Sequence, residues 1–284
     1  MSRELERWQL IERSIIKKYH KQLWTPFIDA MKRYELVQAG DKVAVCISGG
    51  KDSMLLAKLL QQLQRHSDVP FELEFLVMDP GYAEPNRKRI EENLELLRIP
   101  AHIFESDIFA AADSTEKNPC YLCARMRRGA LYAEAQRLGC NKIALGHHRN
   151  DVIETTVMAM FYGAQLQGMM PKLHSLNFPG MELIRPMYCI REDDIIAWAR
   201  YNDLQFIQCA CRFTERTATQ DKESQSKRRE IKNLIRELSK TNPDLENSIF
   251  HSLHAVNLDT FPEYKTKGEY HSFLEQYETP DPRE

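Results

Sequence analysis

The residues best suited to chemistry stand at Ser48-Gly49-Gly50-Lys51-Asp52-Ser53. They lie between the apolar run Lys42–Ile47 and a segment in which Leu55, Leu56, Leu59, Leu60 and Leu63 recur at helical spacing. Two glycines let the chain turn sharply and let a ligand approach the backbone. The helix start that follows turns unbonded N–H groups and a partial positive charge towards the loop, which suits a phosphate. Ser48, Lys51 and Ser53 add donors for phosphate oxygens. A plain strand-to-helix turn would need only the glycines. The spacing is not that of the G-x-x-x-x-G-K-[ST] loop, because Asp52 follows Lys51 and Val45 stands where the first glycine would be. Asp52, Asp79 and Asp151 each follow an expected strand end, where ligands of parallel sheets bind. Any one alone reads as a cap or turn residue. Three on one edge suit a magnesium ion, which takes one or two carboxylates beside phosphates.

The seven cysteines are the second chemical resource. Cys46, Cys140 and Cys189 sit in or beside apolar runs and read as small buried side chains. Cys120 and Cys123 open a helix one turn apart, where the helix end favours thiolates able to bind metal or attack sulfur. Arg127 follows them by seven and four residues and shares their face. Cys209 and Cys211 form a second pair. Structural zinc, an iron–sulfur cluster, a redox dithiol and coincidence all compete. Zinc would take both pairs, although the second is one residue short of the usual spacing. A cluster held by three cysteines with one iron open fits equally well. Spacing alone leaves zinc and cluster level.

The elements that must position these groups follow from the periodicity. Residues 1 to about 38 read as two helices with Pro26 near their junction. Strands are expected at 42–47, 71–78, 101–105, 142–145, near 183–184 and at 204–207. Helices are expected over 85–98, 121–138 with Gly139 as the stop, 151–161, 192–202, 222–239 and 244–256. Strands alternating with helices give an α/β fold with a doubly wound, mainly parallel sheet and extra N- and C-terminal helices. The expected organisation is a helical segment over 1–38, an α/β domain carrying the phosphate loop over 39–215, a helical segment over 216–264 and a poorly ordered polar tail over 265–284.

Composition narrows the class. Hydrophobic residues make up 43% and charged residues 28%, the balance of a globular chain with a substantial core. No run approaches the eighteen apolar residues of a membrane span, and the charged N-terminus lacks a signal-peptide core. A cytoplasmic location is expected. A net charge of −2 gives no general sign of nucleic-acid binding. Two local basic clusters, Arg125, Arg127 and Arg128, then Lys227, Arg228, Arg229, Lys232 and Arg236, read first as solvated helix faces.

The SGGKDS loop resembles the PP-loop of the ATP pyrophosphatase superfamily, whose signature is SGGxDS. That resemblance implies a nucleotide α-hydrolase-like sheet and cleavage of ATP between its α and β phosphates. The stretch Cys120–Leu173, with its CYLCARMRRG, GHHRNDVIET and FYG…PKL runs, resembles the tRNA 2-thiocytidine synthetase family. With the loop, the likeness covers about residues 25–255. It implies a cytoplasmic, often dimeric enzyme that uses ATP, Mg2+ and a [4Fe-4S] cluster to thiolate C2 of a cytidine in the tRNA anticodon loop, fed by a sulfur donor such as a cysteine desulfurase. It makes Cys120 and Cys123 cluster ligands, with Cys209 or Cys211 as the third. It places Gly146 and His147 at the nucleotide, and Lys51, Arg127 and Asp151 in catalysis. This chain departs from the family's GHHRDD at Asn150, which removes one of two carboxylates. The rival readings are a 2-thiouridine or lysidine synthetase, and a zinc-stabilised RNA-binding protein.

Overall fold

The computed structural model describes residues 4–106, 119–207, 222–275 and 277. The chain divides into two compact units, Met1–Leu234 and Ile235–Glu284. Among the described residues, no helix is long and apolar enough to cross a membrane.

The first unit is built on a six-stranded sheet in the order β3-β2-β1-β4-β6-β5. Its strands are β1 (Lys42–Ile47), β2 (Glu72–Asp79), β3 (Ala101–Glu105), β4 (Lys142–Ala144), β5 (Lys172–His174) and β6 (Glu182–Ile184). All pairs are parallel except β5 with β6. The chain first winds outward, through α3 (Lys51–His66) and α4 (Glu84–Leu96), to β3. It then returns through α5 (Pro119–Arg137) to lay β4 on the other side of β1. The carboxyl ends of β1 and β4 therefore diverge, and such a switch point opens a crevice for ligands.

β1 is buried on both faces, and the two-residue period divides its side chains between two cores. Val43, Val45 and Ile47 pack with Leu55, Leu56, Leu59 and Leu60 of α3 and with the N-terminal helices. Those helices are α1 (Arg7–Ile16) and α2 (Thr25–Arg33), joined by a π-helical turn, with Pro26 in the first turn of α2. Ala44 and Cys46 face the other way, towards Tyr132 and Ala135 of α5 and Leu183 of β6. Burial pushes the Cys46 thiol up to about 12 and that of Cys140 to about 11, so both are inert core side chains. The remaining helices of this unit are α6 (Arg149–Gly163), α7 (Glu192–Tyr201) and the beginning of α8 (Lys222–Thr241).

One expected strand is not formed, and one strand arises where none was expected. Among the described residues, Leu204–Ile207 joins no sheet. Its apolar side chains go into packing, with Phe206 and Ile207 against the main core, and its Gln205 carbonyl accepts from the Asn93 side chain at 2.9 Å. An apolar run reports burial, and burial does not require a ladder partner. Conversely, β5 is short, half exposed and without an apolar run, so periodicity gave no sign of it.

The second unit contains the end of α8, α9 (Leu245–Ser252), and a hairpin of β7 (Glu263–Thr266) and β8 (Glu269–Ser272). Ile235 and Phe250 are its buried apolar side chains. The hairpin occupies part of the stretch expected to be a poorly ordered tail. Its two-residue turn, Lys267-Gly268, has positive φ at both positions (49° and 92°), the geometry that matches strand twist. Lysine in the first position hides the turn from sequence inspection, where Asn-Gly would have announced it.

Candidate active site

The SGGKDS loop fills the step from β1 to α3. Gly49 has φ +84°, and a Cβ there would stand 2.6 Å from Ile90 and 2.7 Å from Ile207. Glycine is therefore demanded twice, by backbone and by packing. Gly50 caps α3, whose first intrahelical bond runs from the Met54 N–H to the Gly50 carbonyl at 3.2 Å. The amides of Lys51, Asp52 and Ser53 precede that bond, and with the helix dipole they form an anion cradle. Ser53 shapes the loop. Its hydroxyl accepts from the Ser48 amide at 3.1 Å and the Ser48 hydroxyl at 3.2 Å, and donates to the Gly50 carbonyl at 3.0 Å.

Gly146 follows β4 and presses against the start of α3. A Cβ there would meet the Asp52 carbonyl carbon and the Ser53 amide nitrogen, both at 3.2 Å. These are backbone atoms with little freedom to yield, so glycine lets the two loops touch and the crevice form.

A cavity of about 370 Å³ occupies that crevice. Ser48, Asp52, Ser53, Arg127, Gly146, His147 and Asp151, all singled out by the sequence, line it together with Arg228 of α8. Asp52 Oδ1 is buried and has no hydrogen-bond partner among the described residues. Asp151, in the first turn of α6, accepts the His148 amide at 3.0 Å through Oδ2 and stands 3.6 Å from Arg228 through Oδ1. The His148 ring lies between the two carboxylates, 3.9 Å from Asp52 and 3.4 Å from Asp151. Two carboxylates are enough for a magnesium ion that takes its other ligands from phosphate and water. Among the described residues there is no group of three or more His, Cys, Asp or Glu side chains able to hold a metal. The free oxygen of Asp52 makes the pair a fitting donor set.

Burial lowers His147 to about 4, helped by Arg185, Arg228 and His148, while Asp151 acts in the opposite sense. Its ring is neutral at physiological pH, with Nδ1 unpartnered among the described residues. The folded value lies below the ordinary 6.5. Between these limits the unfolded chain holds a proton that the folded site excludes. Stability is therefore lost on acidification through that window, by at most about 1.4 kcal/mol per pH unit. Urea unfolding from about pH 7 to about pH 4 should show a steeper loss for the wild type than for His147→Gln. Parallel curves would sink this assignment.

Of the expected residues, Gly49, Gly50, Lys51 and Asp79 are not at the cavity wall; the glycines shape the loop, and the two charged side chains are engaged elsewhere. Asp79 accepts the amides of Gly81 at 2.8 Å and Tyr82 at 2.7 Å, and pairs with Arg87. Burial opposes its charge, but these partners outweigh it and hold the carboxyl below the usual range. It shapes the β2–α4 loop. Lys51 turns to Asp52 at 3.1 Å and to Glu192 at 3.4 Å, and Glu192 in turn holds Lys232 at 2.5 Å. Burial opposes the Lys51 charge, and the two carboxylates overcome it. Cys120 and Cys123 fall at the start of α5, one turn apart along its backbone. Their side chains, and Cys209 and Cys211 altogether, lie outside the described residues. Sequence inspection passed over Arg228, because a basic residue on a charged helix resembles any solvated one. Of the adjacent His147 and His148, sequence reasoning favoured His147 at the nucleotide, and it is His148 that stands between the two carboxylates.

Comparisons with known proteins bear on the family and the fold. A family model described as a PP-loop domain matches residues 17–211. The chain is 35% identical over 245 residues to the tRNA-cytidine(32) 2-sulfurtransferase of Polaromonas naphthalenivorans (strain CJ2), covering 84% of this chain and 74% of that one. It is 34% identical over 251 residues to the protein of the same name from Alcanivorax borkumensis (strain ATCC 700651 / DSM 11573 / NCIMB 13689 / SK2), covering 86% and 84%. Among solved structures, the U34-tRNA thiolase NcsA from Methanococcus maripaludis with its [4Fe-4S] cluster has a TM-score of 0.64 at 21% identity, covering 86% of this chain and 81% of that chain. That last likeness speaks for the fold.

Proposed function

This chain belongs to the PP-loop family, among the tRNA-cytidine 2-sulfurtransferases, and from that membership we propose that it activates a tRNA cytidine with ATP and exchanges the oxygen on C2 for sulfur. The target is the cytidine that its relatives' names number 32. The observation that carries the reading is the crevice between β1 and β4. There the open amides of α3 and two carboxylates, one with a free oxygen, face a cavity large enough for a nucleotide.

The chemistry has two steps. The cytosine O2 attacks the α-phosphorus of ATP and pyrophosphate leaves. Hydrosulfide then adds at C2 and expels AMP with the old oxygen. The α3 amides hold the phosphate chain from one side and Arg127 from the other, so stabilisation is set before charge develops. The neutral His147 ring lines the nucleotide pocket, and His148 stands between the two carboxylates. Asp52 and Asp151 would hold magnesium, which would neutralise charge on the departing pyrophosphate. Lys51 acts at one remove, by fixing the Asp52 carboxylate. Asp79 supports the loop beside the nucleotide. Cys120, Cys123 and one of Cys209 and Cys211 are assigned to a [4Fe-4S] cluster, whose open iron would present the sulfur. An anticodon-loop base is single-stranded and can be splayed into such a crevice.

We place catalysis in residues 39–215, with helical segments over 1–38 and 216–264 and the polar stretch 265–284 beyond. The partners are tRNA and a sulfur donor such as a cysteine desulfurase, in the cytoplasm. The exposed apolar side chains of Met160, Phe161, Leu166, Met170 and Leu176 favour a homodimer, which sedimentation would check. Nucleoside analysis of tRNA from a strain lacking the gene should show loss of 2-thiocytidine. Its persistence would overturn the substrate. Anaerobically purified protein should be brown; colourless protein carrying zinc would overturn the cluster.

A further inference from the structure

Arg228 lines the cavity, yet its partners hold it loosely. Nη1 is 3.6 Å from Asp151 Oδ1 and Nε is 3.6 Å from Glu154 Oε2, and Nη2 donates to Thr155 Oγ1 at 3.2 Å. A committed guanidinium–carboxylate pair closes to about 2.7–2.9 Å and is often bidentate. Lys232, one turn further along α8, is fixed to Glu192 at 2.5 Å. That anchor keeps Arg228 aimed at the cavity.

The charges of the wall show what could hold it more tightly. The wall carries two carboxylates, Asp52 and Asp151, and two guanidiniums, Arg127 and Arg228, around a neutral His147. A metal bound by Asp52 and Asp151 would remove Asp151 as a partner of Arg228. A polyphosphate arriving with that metal brings the anionic oxygens that a guanidinium with spare donors matches best. We infer that Arg228 is a ligand of the nucleotide's phosphate chain, exchanging its loose contact with Asp151 for phosphate oxygens when ATP binds. This rests on the adenylation reading above and adds to it a recognition residue from beyond the parallel sheet.

The test is calorimetric titration of the full-length holoenzyme and its variants with ATP and with adenosine. Arg228→Ala should bind ATP about 10- to 100-fold more weakly, the loss of one charged contact, with adenosine affinity unchanged. Arg228→Lys should fall between, keeping charge without the fork. Arg229→Ala, an exposed neighbour, should match the wild type. Unchanged ATP affinity in Arg228→Ala would overturn the inference while leaving the adenylation reading intact. Equal weakening of ATP and adenosine would also overturn it, since the residue would then only support the pocket. Failure of the wild type to bind ATP would remove the reading on which the inference stands.

Discussion

Asp151→Asn is expected to reduce adenylation, read as tRNA-dependent ATP–pyrophosphate exchange, by about 100- to 1,000-fold, the usual cost of one preorganised electrostatic group. The substitution is chosen to spare the fold. Asparagine keeps an oxygen to accept the His148 amide, so the cap of α6 survives. What disappears is the negative charge facing the cavity. Tm should stay within a few degrees while exchange collapses at saturating ATP. Exchange within a few-fold of wild type would remove Asp151 from the chemistry. Asn150 sharpens the case. It stands where the family pattern has another aspartate, and its Oδ1 accepts the Glu192 amide at the start of α7 at 3.0 Å. That oxygen is engaged in joining α6 to α7, so in this chain the charge-bearing role falls on Asp151.

Much of this was legible because the relevant signals are local. The apolar run of β1, the glycines after it and the leucine spacing of α3 dictate a strand, a turn and a helix with little help from elsewhere. Given a parallel sheet, residues after strand ends must share an edge, which is why Ser48, Asp52, His147 and Asp151 were found together. The destinations of long side chains were not legible. Lys51 sits in the loop, yet its ammonium is drawn off by Glu192, a residue that is distant in sequence and adjacent only once α7 packs beside α3. Asp79 ends a strand as required, but the amides two and three residues on claim its carboxylate. Arg228 reads as surface in sequence because its partners, Asp151, Glu154 and Thr155, lie on α6, far back along the chain.

The same limit hides a buried ion pair, Glu12 with Lys58. Glu12→Ala is expected to destabilise the protein by about 3–5 kcal/mol in urea unfolding, the range for stranding a buried charge. Lys58 of α3 is fully buried, and its ammonium donates to Glu12 at 2.6 Å, Gln61 at 2.8 Å and the Leu97 carbonyl at 2.7 Å. Glu12 of α1 is gripped from its other side by Arg65 at 2.9 and 3.0 Å. Burial opposes the Glu12 charge, but Arg65 and Lys58 outweigh it and hold the carboxyl below 4.5. Its folded value being depressed, its contribution is present above the unfolded value and is lost as pH falls through the folded one. The wild-type advantage should therefore shrink in acid. It should also shrink near about pH 10, because burial already lowers Lys58 and an ammonium deprived of Glu12 sheds its proton sooner. Replacing both partners, Glu12→Leu with Lys58→Met, should restore most of the loss, since no charge is then left stranded. If the double variant is as unstable as Glu12→Ala, stranded charge is the wrong cause. The pair bears on function because Lys58 lies two turns beyond the loop on the helix whose open amides face the cavity, so loosening it loosens the phosphate cradle.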